Sequence, residues 1–76
     1  MKEFVEYIVK NLVDHPEEVS INEIGGTNTI ILELSVSKSD IGKIIGKKGK
    51  TINAIRTLLM SVASRNHLRI NLEILE

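Results

Sequence analysis

Two glycines, Gly46 and Gly49, enclose Lys47 and Lys48 and are followed at once by Lys50 and Thr51. Residues of these types in this order suit the holding of a phosphodiester rather than the making or breaking of a bond. Glycine has no Cβ, so the chain can turn sharply and a phosphate can approach the backbone closely. A helix opening at Lys50 or Thr51 would point unpaired N–H groups and the positive end of its dipole at the same place. Lys47 and Lys48 add mobile charge, Lys43 lies one turn before the loop, and Arg56, one turn beyond Ile52, is within reach of a phosphate. Ile44, Ile45 and Ile52, or neighbours on the second strand, furnish an apolar floor on which bases lie. That role competes with core packing, because a small domain must bury most of its isoleucine.

The flanking pattern supplies the elements that hold this loop. Phe4, Ile8 and Leu12, with Val5, Val9 and Val13 beside them, form the apolar stripe of an amphipathic helix that ends at Asp14-His15-Pro16. From Val19 the period shortens, with Val19 and Ile21 alternating with Ser20 and Asn22. Gly25-Gly26-Thr27-Asn28 then supplies residues that tolerate positive φ in a hairpin turn. Ile30, Leu32, Leu34 and Val36 share one face of a second strand, against Ile31, Glu33, Ser35 and Ser37 on the other. Ser39 or Asp40 caps a short helix through Ile41 to Ile45, which the glycine loop cuts off. A longer helix over 51–65 places Ile52, Ile55, Leu59 and Val62 toward a core. Asn66-His67 closes it, and Leu68, Ile70, Leu72 and Ile74 alternate with Arg69, Asn71 and Glu73 in a last strand.

The expected order is thus helix, strand, strand, helix, glycine loop, helix, strand. A hairpin makes the first two strands antiparallel, and a two-helix crossover makes the second and third parallel. The fold class is α+β, a three-stranded mixed sheet with the helices packed on one face, and residues 1–76 form one domain.

The 76 residues carry ten basic and ten acidic side chains, which argues against a polycation that coats nucleic acid. The charge is segregated, however. Residues 1–36 hold two lysines against seven acids, a balance of −5, whereas residues 37–56 hold six basic residues against Asp40, a balance of +5. The basic run coincides with the glycine loop. Absence of cysteine fits a reducing compartment, and no uncharged stretch approaches the roughly 20 residues of a membrane span, so the cytoplasm is the expected location.

Catalysis finds no support. His15 and His67 stand alone in turn regions, without a nucleophile, base and orienting acid around them. No cofactor is expected and no metal, since the carboxylates lack a ligand pattern and Glu17-Glu18 merely adjoins a proline. Gly49-Lys50-Thr51 imitates the end of a P-loop, but Ile44 stands where its first glycine is required, and a helix rather than a strand precedes it.

The stretch from Ile41 to Ile52 resembles the signature of the K-homology (KH) family, an apolar-Ile-Gly-x-x-Gly-x-x-Ile run in which the Gly-x-x-Gly joins two helices. The order of elements resembles the type II form of that fold, α-β-β-α-α-β. A bare Gly-x-x-Gly is equally well a turn with solvated lysines; here the flanking isoleucines and the topology agree. Gly42-Lys43-Ile44-Ile45-Gly46-Lys47-Lys48-Gly49-Lys50-Thr51 and Ala54-Ile55-Arg56-Thr57-Leu58-Leu59 are similar to the small bacterial stand-alone KH proteins of the KhpA type. The resemblance implies binding of single-stranded RNA, as a chaperone or post-transcriptional regulator, through Lys43, Ile44, Ile45, Gly46, Lys47, Lys48, Gly49, Lys50, Thr51, Ile52 and Arg56. It also implies self-association and pairing with a larger KH-containing partner.

Residues 57–64 are uncharged around two helical turns, where an ordinary surface helix shows charge opposite its core stripe. Thr57, Met60, Ser61 and Ser64 fall away from that stripe and form a candidate homodimer face. Packing against the first helix is the competing explanation. An adaptor that keeps the fold but works mainly by homo- or heterodimerisation is the alternative function.

Overall fold

The computed structural model describes residues 1–75. Helix α1 (Lys2–Leu12) carries Glu3 in its first turn and Lys10 in its last, each at the end of the helix dipole it favours. It stops where Val13 turns extended, and a short 3-10 turn, Pro16–Glu18, opens on the proline. Strands β1 (Ser20–Gly25) and β2 (Thr29–Ser35) form the antiparallel hairpin, with Ile21 opposite Leu34 and Gly25 opposite Ile30. Neither Gly25 nor Gly26 takes the left-handed conformation expected of the turn; the Gly26 N–H closes it instead by donating to the Thr29 carbonyl.

After a 3-10 turn at Lys38–Asp40 come α2 (Ile41–Ile45), a further 3-10 turn through the loop, α3 (Lys50–Arg65) and β3 (Arg69–Ile74). The sheet order is β1-β2-β3, with β3 parallel to β2. This is the mixed three-stranded sheet expected from the hairpin and the crossover, and the chain has the α+β fold of a KH domain. Strand β3 is an edge, paired on one side only.

The core explains the alternation. Ile21, Leu32, Leu34, Ile70 and Leu72 face inward from the sheet and meet Val5 and Val9 of α1, Ile44 of α2, and Ile52, Ile55, Leu59 and Ala63 of α3. Burying a Leu or Ile side chain contributes about 1.5–3 kcal/mol, so these inward positions fix the strand register. The helical stripes are narrower than the sequence implies. Ala63 rather than Val62 completes that of α3, leaving Val62 exposed, and Phe4 and Leu12 lie at the exposed rim of α1.

Asp40 is the one buried charged side chain among the described residues, with no exposed surface. It occupies the N-cap position of α2 without capping it. Its Oδ1 accepts from the Asp14 N–H at 3.1 Å and its Oδ2 from the His15 N–H at 3.0 Å. The expected cap is therefore corrected: the carboxylate ties the chain between α1 and β1 to the base of α2, which satisfies it more fully than the start of a five-residue helix would.

Candidate nucleic-acid interface

The loop is held by conformations that few residues accept. Gly46 ends α2 at φ 75°, its N–H donating to the Gly42 carbonyl at 2.9 Å. Lys48 (φ 56°) and Gly49 (φ 76°) are left-handed, and α3 begins at Lys50. Thr51 presses on the first glycine: a Cβ at Gly46 would lie 2.2 Å from Thr51 Oγ1. Gly46 is thus required twice, by its dihedral angle and by its neighbour. Gly49 is constrained by its dihedral angle alone, since a Cβ there meets nothing closer than Asn53 at 3.5 Å.

Charge at this turn runs against the ordinary economy of a helix. The first turn of α3 contains no acidic residue and no side chain caps it. Lys47, Lys48 and Lys50 crowd the same end, are exposed, and join no ion pair among the described residues. Cations at a helix N-terminus oppose its dipole, whereas an anion there satisfies both dipole and lysines.

The other expected site residues divide. Ile45 is half-buried beside the loop, as is Thr51. Ile44 and Ile52 are 0% and 4% exposed. The expectation that they line a groove is corrected: they are core residues that anchor the two helices on either side of the loop. Lys43 is turned away from the loop and pairs with Asp14. That hydrogen bond, and next the lysine charge, hold the exposed Asp14 carboxyl below its usual 3.8. The Arg56 Nε and Nη2 donate to the Leu72 carbonyl at 3.2 and 3.0 Å. It bridges α3 to the open edge of β3.

Beside that bridge runs a cleft of about 510 Å³ between α3 and β3, within the range of ligand sites. Asn53, Arg56 and Thr57 border it on the helix side, and Ile70, Asn71 and Leu72 on the strand side. The sequence pointed for an apolar floor to the isoleucines around the loop or to neighbours on β2, not to this edge of β3. The signal was available: the last strand has one partner, and the helix before it must pack against it.

The proposed dimer residues Thr57, Met60, Ser61 and Ser64 are all exposed. Thr57, Met60 and Ser64 nevertheless lean toward β3 and line its clefts, while Leu58 (52% exposed) and Val62 (40% exposed) present apolar surface on the same helix that the sequence reading left out. His15, Glu17 and Glu18 place ligand atoms within 4.8 Å of one another, all exposed at the 3-10 turn. Exposed acidic groups commonly cluster so without a metal. No helix among the described residues is long and apolar enough to cross a membrane.

Residues 2–74 match the profile of the family described as KhpA/KhpB, KH domain. The RNA-binding protein KhpA of Chlamydia pneumoniae is 72% identical over 76 residues, covering 100% of this chain and 97% of the relative. The protein of the same name from Borreliella burgdorferi is 53% identical over 74 residues, covering 97% and 90%. That from Listeria monocytogenes is 49% identical over 76 residues, covering 100% of each.

Proposed function

Since the chain belongs to the KhpA/KhpB family of KH domains, we propose that it is a single KH domain that binds single-stranded RNA by its Gly46-Lys47-Lys48-Gly49 loop and the start of α3. The carrying observation is the uncapped, acid-free N-terminus of α3 with three unpaired lysines around it. A phosphodiester supplies the missing negative charge, and the α3–β3 cleft beside it receives bases. The names of the relatives, each an RNA-binding protein, support the reading. We assign the chain no reaction, and place its work in the cytoplasm as an RNA chaperone or post-transcriptional regulator.

Lys43 is paired with the Asp14 carboxylate, and the two Arg56 nitrogens that donate to the Leu72 carbonyl direct its guanidinium toward β3, so Lys47, Lys48 and Lys50 are the cations that the loop itself offers to phosphates. Three contacts on a single strand give a slope of log K against log salt of about −2. Titration of an unstructured RNA at a series of salt concentrations checks this. A slope near zero would make the lysines bystanders and favour the adaptor reading.

Self-association and pairing with a larger KH protein belong to the same proposal. The exposed uncharged turns of α3, around Thr57, Met60, Ser61 and Ser64, carry no charge that burial would have to desolvate. Ser61→Arg, at the one of the four positions that lines neither cleft, should convert a dimer to a monomer in sedimentation while leaving helical content unchanged. A wild-type protein that is monomeric at high micromolar concentration would dismiss this face. Because Thr57, Met60 and Ser64 also line the clefts, a dimer using them competes with RNA.

A further inference from the structure

The cleft beside Arg56 does not end at mid-helix. A second cleft, of about 790 Å³, continues it and shares Met60, Ile70 and Asn71, so one trough follows the whole seam between α3 and β3. Its far end is bordered by Asn28 from the hairpin turn, Ser64 from the end of α3, and His67 and Arg69 from the connection into β3. No acidic residue lines this end, whereas Glu73 borders the near cleft. His67 and Arg69 are exposed, and the side chain of neither is held by a salt bridge or hydrogen bond among the described residues.

We propose that this far end is a second phosphate subsite for the same RNA strand, with Arg69 as its cation and His67 and Asn28 as its hydrogen-bonding groups. The proposal rests on the RNA-binding reading and adds a footprint to it. The 16 residues of α3 span about 24 Å from the glycine loop to His67. A stacked strand advances about 3.4 Å per nucleotide, so roughly seven nucleotides bridge the two ends. A loop clamp alone holds about four. The trough between the two ends is walled by Met60 and Ile70, and is partly apolar, as a path for bases should be. Positive charge at both ends then fixes the strand's length on the protein rather than its sequence.

The test compares wild type with the Arg69→Ala/His67→Asn double variant, on oligouridines of about five and about ten nucleotides, lengths chosen below and above the bridging distance. Asn is used at position 67 because His67 is left-handed (φ 57°), a conformation Asn tolerates. Both side chains are exposed, so circular dichroism should be unchanged. The double variant should bind the longer RNA about fivefold more weakly, as expected for one lost exposed charge contact, and the shorter RNA as well as wild type does. Its salt slope on the longer RNA should become shallower by about 0.7. Equal losses at both lengths, or no loss on the longer RNA, would overturn the second subsite while leaving the loop clamp standing. Wild-type protein that binds neither length would overturn both.

Discussion

Replacing Lys47 and Lys48 together by Asp is expected to weaken RNA binding by up to about a thousandfold while leaving the protein at least as stable as wild type. Each exposed charge contributes up to about 1 kcal/mol, so reversing two of them changes binding by about 1–4 kcal/mol, or roughly fivefold to a thousandfold. Stability should move the other way for two reasons. The new carboxylates stand before the N-terminus of α3, where negative charge favours the dipole. Lys48 also occupies a left-handed conformation, which Asp adopts more readily than Lys. A melting curve and a binding titration on the same preparation separate the two effects. A folded double variant that keeps its affinity would remove the loop from the binding site.

The second large effect is expected at Asp40, and it is an effect on stability. Asp40→Ala leaves the Asp14 and His15 N–H groups without their acceptor and empties the buried carboxylate's place. Two hydrogen bonds to a charged group, at about 1.5–3 kcal/mol each with imperfect additivity, give a loss of about 2–4 kcal/mol. A domain of 76 residues has only about 4–11 kcal/mol in total. The melting temperature should fall by about 10–30 °C. Thermal denaturation followed by circular dichroism measures it, and a fall of no more than about 3 °C would mean that water replaces the carboxylate at little cost.

These two sites show what the sequence discloses and what it withholds. Gly46-Lys47-Lys48-Gly49 could be read directly because its chemistry is local: two glycines, adjacent lysines and a following helix state the geometry within six residues. The alternation of Leu32 and Leu34 in β2 and the spacing of Ile52, Ile55 and Leu59 in α3 are local in the same sense, and they carry the topology with them. Asp40 was misread because its partners lie 25 and 26 residues away, and a local rule offered it the nearer role of a helix cap. The partners of Lys43 and Arg56 were hidden for the same reason: Asp14 and the Leu72 carbonyl reach them across the fold. Val62 and Ala63 exchanged places because a helical face is known from spacing only to within about one residue.

On the proposed function, RNA meets the loop between α2 and α3. The most direct measurement of this is the change in amide resonances of the isotope-labelled protein as an unstructured RNA is added. The largest shifts should fall on Gly46 to Thr51, with smaller ones along β3 at Ile70 to Leu72, and α1 should stay silent. Shifts concentrated on α1 or the open sheet face, with Gly46 to Thr51 unmoved, would contradict it.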